Sequence, residues 1–165
     1  MDFALNDDQV ELKQQARVWL ADRFPLDRDW DAEDDRWSEL AELGWLDVAE
    51  AGLGFVEEAL LLEETGYALY PGAYLAHVTG QTEVFGEDGG IETVDATRPL
   101  RRLPQASDES PRLRAALGAE ALGVAQRALD LGVEHAKTRV QFGKPIGTYQ
   151  AVSHPLAQTY TDVEL

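Results

Sequence analysis

Cysteine is absent from the 165 residues of this chain, which excludes disulfide bridges, thiolate metal sites and cysteine nucleophiles. Long apolar runs are absent too, since the longest purely aliphatic stretch, residues 59–62, is far shorter than the ~20 residues of a membrane-spanning helix. A basic leader is also missing, because Asp2, Asp7 and Asp8 stand where a signal peptide carries positive charge. We therefore expect a cytoplasmic protein that does not enter a membrane.

Basic residues are scarce: 14 lysines and arginines stand against 31 acidic residues, which gives a formal net charge of −17. A field of that sign repels phosphate backbones and anionic lipids, so nucleic acids and membrane surfaces are not expected as partners. The bases are unevenly placed, because residues 1–66 hold 19 acids and 5 bases whereas residues 98–144 hold 9 bases and 5 acids. Two interpretations of the second stretch stay open: a region that holds an anion, or a set of solvated helix faces.

The first eighty residues have the pattern of a small bundle of antiparallel helices. Asn6 and Gln9 have the spacing of a capping box, and Pro25 ends the helix that follows. Three further helices are predicted, over residues 32–43 with Gly44 as the stop, over residues 55–68 and over residues 73–78. The tryptophans are interpreted as core residues; they are Trp19, Trp30, Trp37 and Trp45.

The middle of the chain has little regular pattern. Residues 81–109 are rich in glycine and proline, and they leave room only for short strands near residues 93–95 and 100–103. We predict a mainly α fold in three parts: an N-terminal helical domain over residues 1–80, a reduced irregular or β connector over residues 81–109, and a long helical hairpin over residues 110–165.

The hairpin begins at Ser110-Pro111, a capping side chain followed by proline at the first helical position. Its first helix is predicted to run to about Arg139, and after a Gly/Pro turn Thr148 is expected to cap the last helix. The first helix carries one apolar stripe, formed by Leu113, Leu117, Ala121, Val124, Ala128 and Leu131. Two helices offer too little surface to bury this stripe, so we expect it to seek a partner.

The turn between these helices reads Arg-Val-Gln-Phe-Gly-Lys-Pro-Ile-Gly-Thr-Tyr-Gln-Ala-Val over residues 139–152. Arginine offers a fork of donors for a pyrophosphate, phenylalanine a flat surface for a base or ribose, and glutamine an amide for orientation. Glycine permits the backbone angles that bring such groups together. On chemistry alone, a purely structural turn remains an alternative to a nucleotide site.

The amino-acid sequence of this turn closely resembles that of the FAD-contacting turn of the acyl-CoA dehydrogenases, where an Arg-x-x-Phe-Gly-x-Pro-Ile-Gly run precedes a Gln-Ala-Val helix start. Residues 117–139 are similar to the first long helix of that family's C-terminal bundle. Residues 3–24 and 37–71 resemble its N-terminal helical domain, and residues 94–100 resemble a strand late in its middle β-domain. The chain is identified as a shortened member that lacks most of the middle β-domain and the last C-terminal helices.

The resemblance implies FAD as the cofactor and α,β-dehydrogenation of an acyl-CoA thioester as the reaction. In the family this turn embraces the adenosine-diphosphate end of FAD held chiefly by another subunit. Arg139 would therefore pair with the pyrophosphate, Phe142 would pack on the adenosine, and Gln150 would hydrogen-bond to the dinucleotide. The full set of implied cofactor-binding residues is Arg139, Gln141, Phe142, Ile146, Tyr149, Gln150 and Val152. The implied partners are a second copy or a second acyl-CoA dehydrogenase subunit, acyl-CoA, and an electron-transfer flavoprotein.

A catalytic base is not found in this chain. Members that place the base on the long helix would have it near Leu113, where residues 111–114 contain no acid. Glu120 lies on the same helix and is interpreted as a solvated residue without a catalytic role. The three histidines have no metal-ligand spacing, and Pro155 is expected to delete the hydrogen bond to the Ala151 carbonyl. We predict a flavoprotein subunit that is inactive without a fuller partner; the alternative is a non-catalytic helical remnant or interaction module.

Overall fold

A computed structural model describes residues 4–29, 36–80 and 110–165, and α-helix predominates in them. The chain divides into two compact units, Met1–Gly123 and Val124–Leu165. The mainly α fold predicted from the sequence is confirmed. The strands predicted at residues 93–95 and 100–103 lie outside the described residues, and the three-part division of the chain stays a prediction.

Helix α1 (Asp7–Arg23) begins at the predicted capping box. The Asn6 side chain accepts a hydrogen bond from the Gln9 backbone N–H at 2.8 Å, and the Gln9 side chain accepts one from the Asn6 N–H at 3.1 Å. Both donors would otherwise be unpaired at the helix start. This part of the prediction is confirmed.

Helix α2 (Trp37–Glu42) is shorter than the predicted helix over residues 32–43. Arg36 has φ +48°, a left-handed conformation that cannot continue an α-helix, so the helix starts at the following residue. Residues 30–35 are outside the described part. The predicted stop is confirmed, because Gly44 has φ +74° and its N–H donates to the Ala41 carbonyl at 3.0 Å. A short 3₁₀ turn, Trp45–Asp47, follows.

Helix α3 (Phe55–Ala68) has the predicted bounds, and helix α4 (Tyr74–Val78) begins one residue later than predicted. The hydrophobic core of the first unit gathers around α3. Trp45 is buried in it and Trp19 and Trp37 pack against it, which confirms their predicted roles; Trp30 is outside the described residues. The buried members are Ala16, Leu20, Phe24, Leu40, Trp45, Val48, Leu61, Leu62, Ala68, Tyr70, Tyr74, Val78 and Ala116.

The N-terminal half of helix α5 (Pro111–Thr138) packs on α3 through two glycines. A Cβ on Gly123 would overlap the Glu63 carbonyl oxygen and lie 2.7 Å from the Tyr67 nitrogen. A Cβ on Gly66 would overlap the Glu120 carbonyl oxygen. The two backbones therefore approach each other more closely than any side chain at these positions would allow.

The apolar stripe predicted on α5 is left uncovered within the described residues. Leu117, Val124 and Leu131 are 46%, 41% and 45% exposed. The side of the helix that is buried in the first unit carries Ala116 and Glu120 instead. The stripe is thus a surface feature of this chain, as expected from the two-helix hairpin.

The second unit comprises the rest of α5, strands β1 (Val140–Gln141) and β2 (Lys144–Pro145), a 3₁₀ turn Ile146–Thr148, and helix α6 (Gln150–Glu164). Thr148 does not cap α6 as predicted, because its hydroxyl donates to the Pro145 carbonyl at 2.7 Å. Tyr149 is the N-cap, and its carbonyl accepts the N–H groups of Val152 and Ser153. Helix α6 continues through Pro155. No helix of the described residues has the length and apolar character needed to cross a bilayer.

Candidate functional site

The residues of the Arg139–Val152 stretch form a two-stranded hairpin between α5 and α6. Strands β1 and β2 are antiparallel, with Val140 opposite Pro145 and Gln141 opposite Lys144. The two residues of the turn, Phe142 and Gly143, have φ +52° and +82°. Positive φ at both central positions defines a type I′ turn, whose twist matches that of the flanking strands.

Phe142 is unusual in both conformation and exposure. Few non-glycine residues have positive φ, and phenylalanine lacks the short polar side chain that favours that region in asparagine or aspartate. Its side chain is also 93% exposed, so neither the backbone conformation nor the ring position is explained by burial in this chain. Strained, exposed residues of this kind cluster at ligand-binding sites.

Tyr149 contacts three residues of the two-stranded hairpin. Its hydroxyl donates to the Gln141 carbonyl at 3.2 Å, and its ring centroid lies 6.4 Å from that of Phe142 at an interplanar angle of 85°. The Lys144 ammonium lies 4.4 Å from the centre of the same ring, within the range of a cation–π contact. Tyr149 thus contacts both strands and the turn.

Arg139 stands where α5 passes into β1. Its N–H donates to the His135 carbonyl at 2.9 Å, and its carbonyl accepts the Ile146 N–H at 2.8 Å, so both ends of its backbone are fixed. Its side chain is exposed, and no carboxylate of the described residues pairs with it. In the first unit, by contrast, Arg17 and Arg23 are paired with glutamates.

The surroundings of the hairpin are positively charged in a strongly acidic chain. Residues 135–161 contain Lys137, Arg139 and Lys144 and no acidic residue. A guanidinium, an exposed aromatic ring and two amide side chains therefore lie on consecutive short elements without a local counter-charge. This donor set suits an anionic ligand that has a flat ring system.

The structure brings most of the predicted site residues together. Tyr149 contacts both Gln141 and Phe142, and the Ile146 N–H is hydrogen-bonded to the Arg139 carbonyl. The remaining two, Gln150 and Val152, belong to the first turn of α6, where Gln150 is exposed and Val152 half-buried. Whether these seven residues bind a cofactor stays a prediction.

Lys144 was not among the predicted residues, although it belongs to the same hairpin. The signal that could have identified it is the Phe-Gly pair, since a two-residue turn places the residue after it directly opposite the residue before it. The sequence alone does not show that the lysine lies on the Tyr149 ring, because that contact depends on the position of α6.

Glu120, interpreted from sequence as a solvated residue, is 6% exposed and lies where α5 packs on α3. That interpretation is wrong, because the close approach at Gly66 brings the turn of α5 that carries Glu120 against α3. The start of α5 is likewise occupied by packing: Arg112 pairs with Glu58 and donates to the Val78 carbonyl at 3.0 Å. No three His, Asp or Glu side chains within the described ranges converge as metal ligands.

Comparison with known proteins identifies the family. The model of the acyl-CoA dehydrogenase N-terminal domain matches residues 6–88, and that of the acyl-CoA dehydrogenase C-terminal domain matches residues 105–165. The chain belongs to the acyl-CoA dehydrogenase family. The resemblance inferred from the hairpin motif is therefore confirmed.

Three similar curated proteins each match only part of this chain. Acyl-CoA dehydrogenase IpdE2 of Mycobacterium tuberculosis is 44% identical over 81 residues, which are 44% of this chain and 26% of that protein. IpdE2 of Mycolicibacterium smegmatis is 44% identical over 86 residues, 52% of this chain and 22% of that protein. The L-prolyl-[peptidyl-carrier protein] dehydrogenase of Pseudomonas fluorescens is 60% identical over 45 residues, 27% of this chain and 12% of that protein. The matched part of the chain thus spans about a quarter or less of these relatives' length, and no solved structure gives a significant match.

Proposed function

We propose that this chain is an acyl-CoA dehydrogenase-like flavoprotein subunit whose hairpin binds the adenosine-diphosphate part of FAD. The observation that carries the proposal is the tip of the hairpin, where Phe142 is 93% exposed at positive φ. Arg139, at the base of the same hairpin, is exposed and pairs with no carboxylate of the described residues. Family membership supports FAD as the ligand, and the local excess of positive charge supports its diphosphate as the group that is bound.

The chemistry of the donor set fits this ligand. Arg139 would pair with the diphosphate through its fork of N–H donors, with Gln141 beside it. Phe142 would pack on the adenosine, and Gln150, exposed on the first turn of α6, would hydrogen-bond to the dinucleotide. Ile146, Tyr149 and Val152 would line the same side of the binding site.

The reaction we propose for the complete enzyme is α,β-dehydrogenation of an acyl-CoA thioester, in which bound FAD supplies the hydride acceptor. Removal of the α-proton needs a carboxylate within hydrogen-bond reach of the reacting carbon. Residues 111–114 contain no acid, and Glu120 is buried against α3. This chain would therefore contribute cofactor binding to a fuller acyl-CoA dehydrogenase subunit, which supplies the base, and an electron-transfer flavoprotein would accept the electrons.

Titration of the full chain with FAD, ADP and FMN tests the proposal, with the fuller subunit present and absent. We expect FAD to bind with quenching of its fluorescence, ADP to compete with it and FMN not to compete, because FMN lacks the adenosine half. The variant Phe142→Ala should lower the affinity for FAD and for ADP alike. If FMN competes as well as ADP does, the hairpin is not the adenosine site.

A second candidate function, a non-catalytic interaction module, is favoured by the uncovered stripe on α5. Leu117, Val124 and Leu131 are each nearly half exposed and recur every seven residues, so they share one face of the helix. Such a module would keep the apolar contacts of the family but bind no dinucleotide. The absorbance spectrum of the purified protein separates the two candidates, because only a flavoprotein is yellow.

A further inference from the structure

The two sides of the hairpin differ in chemistry. Residues directly opposite each other in an antiparallel pair project to the same side, and alternate residues along a strand share a side. Gln141 and Lys144 are one such opposed pair, and Val140 and Pro145 are the next. Lys144 therefore shares a side with Gln141, whereas Pro145 belongs to the other side.

Arg139 falls on the same side as Lys144. It precedes Gln141 by two residues, and its carbonyl accepts the Ile146 N–H, which extends the pairing by one step beyond β1 and β2. Arg139 and Lys144 are thus diagonal neighbours, a relation in which Cα atoms lie about 7–8 Å apart and long side chains can meet at one ligand.

The Lys144 ammonium contacts an aromatic ring and has no paired carboxylate among the described residues. It lies 4.4 Å from the centre of the Tyr149 ring. A cation–π contact restricts the side chain without neutralising it. The ammonium is therefore available to an anion that lies over the hairpin.

The opposite side of the hairpin supplies an internal comparison. There Pro145 lines a cleft of about 380 Å³ together with Val133, Ala136 and Leu156, and Lys137 lies at the same cleft. Lys137 and Lys144 are both exposed lysines, seven residues apart in sequence, but only Lys144 shares a side with Arg139.

We propose that Lys144 is a second cationic ligand of the diphosphate, beside Arg139, and that the pair selects an adenosine diphosphate moiety over an adenosine monophosphate. This inference rests on the proposed function, since it assigns a residue to that same site. The guanidinium supplies the directed, forked contact and the ammonium supplies a point charge. A ligand with two phosphates can engage both groups, whereas a ligand with one cannot use them equally well.

The test compares Lys144→Gln with Lys137→Gln, which change the net charge of the chain equally. Binding of FAD, ADP and AMP to the full chain is measured by calorimetry at low and high salt, with circular dichroism as the check on folding. We expect Lys144→Gln to lower the affinity for FAD and ADP about 3- to 10-fold and the affinity for AMP less. The same variant should reduce the dependence of these affinities on salt concentration. Lys137→Gln should change these affinities less than 2-fold, and Lys144→Arg should restore most of the loss.

The outcomes separate this inference from the proposed function. Equal effects of Lys144→Gln and Lys137→Gln on a wild-type chain that binds FAD would overturn the role of Lys144 and leave the FAD site standing. Equal losses for ADP and AMP would overturn the selection of a diphosphate. A folded wild-type chain that binds neither FAD nor ADP, with or without the fuller subunit, would reject the proposed function and this inference together.

Discussion

Arg139 and Phe142 illustrate how much of the candidate site depends on single residues. Both are exposed, and neither is explained by the packing of this chain: the arginine has no carboxylate partner among the described residues, and the phenylalanine has positive φ without burial. Arg112 is the contrasting case, since it pairs with Glu58 and lies 4.8 Å from the Phe55 ring centre. Arg112 is thus fixed by contacts within the chain, whereas Arg139 and Phe142 are the side chains that the proposal assigns to a ligand.

The first prediction concerns Arg139. Loss of a charge-assisted contact to a phosphate typically costs ~1.5–3 kcal/mol, so Arg139→Ala should weaken FAD binding roughly 10- to 150-fold. Arg139→Lys should recover only part of this loss, because lysine keeps the charge but not the fork. Fluorescence titration with the partner subunit present measures the change.

The control for this prediction is Arg114→Ala, which removes an exposed arginine of α5 outside the hairpin. It should leave FAD affinity unchanged. Equal affinities for wild type and Arg139→Ala, at low and high salt alike, would leave only the interaction-module hypothesis.

At the scale of secondary-structure elements, the packing of α5 on α3 depends on glycine. Gly66 and Gly123 permit backbone-to-backbone approach, whereas Gly118 on the same helix has nothing within 4 Å of the place where a Cβ would be. The same residue type therefore has opposite consequences at two positions of one helix.

We predict that Gly123→Ala lowers the free energy of unfolding by about 1–3 kcal/mol, because the new methyl group would force the Glu63 carbonyl and α5 apart. The matched variant Gly118→Ala should raise it by up to ~1 kcal/mol, since alanine is the better helix former and meets no neighbour. Urea unfolding of both variants measures the difference. Equal effects of the same sign would mean that α3 and α5 do not approach as closely as described.

The start of α3 carries a pH-dependent contact with α1. Glu57 accepts hydrogen bonds from the Gln9 side chain and from the Gly54 N–H, each at 2.8 Å, and these bonds lower the pKa of the Glu57 carboxyl, the Gln9 bond most. A carboxyl whose pKa is lower in the folded state stabilises the fold above its unfolded value, about 4.3, and this contribution is lost as the pH falls through the folded value.

We therefore expect Glu57→Gln to destabilise the protein at neutral pH and to make the difference from wild type shrink below about pH 4. Chemical unfolding at a series of pH values gives the two curves. Glu42→Gln, at an exposed position at the end of α2, serves as the control. Its difference from wild type in the free energy of unfolding should be the same at every pH. A constant difference between Glu57→Gln and wild type across this range would contradict the assignment.

At the scale of the whole molecule, the proposed function assigns cofactor binding to this chain and the catalytic base to a fuller subunit. The proposed dinucleotide-binding residues belong to the hairpin and the start of α6, whereas residues 111–114 contain no acid and Glu120 is buried. We predict that the homogeneous protein, with added FAD and an artificial electron acceptor, turns over no acyl-CoA. Addition of a fuller acyl-CoA dehydrogenase subunit is the positive control. Turnover by the single chain would contradict the prediction, and Glu120→Gln would then be the first variant to make.

The last prediction is association through the stripe on α5. Exposed apolar patches of this kind favour a partner, so we expect a dimer or larger species in analytical ultracentrifugation. Leu131→Lys should shift the distribution toward monomer, because a charge would be buried in the contact. Val18→Lys replaces a valine of α1 that is 71% exposed and should have no such effect. If the wild-type protein is a monomer that unfolds cooperatively, the fold is stable with the stripe exposed to solvent, which would contradict this prediction.

The sequence by itself determined the features that depend on neighbours within about one helical turn. The capping box at Asn6, the stop at Gly44 and the bounds of α3 follow from hydrogen bonds between residues three or four apart, which the order of residue types already specifies. The amino-acid sequence of residues 139–152 likewise sufficed to identify the family.

Only the tertiary structure decided which surfaces are buried and which side chains meet. The burial of Glu120 and the approach of Gly66 and Gly123 depend on helices that are about sixty residues apart in sequence. The contact of Lys144 with the Tyr149 ring is local, but it depends on the fold of the turn and on where α6 begins. Helical periodicity shows that a face is apolar but not which neighbour covers it, so the sequence identified the stripe on α5, and the structure showed that Ala116 and Glu120, not the stripe, face the first unit. Burial is a property of the packed elements together, because the free energy gained from it depends on surface removed from water rather than on residue type alone.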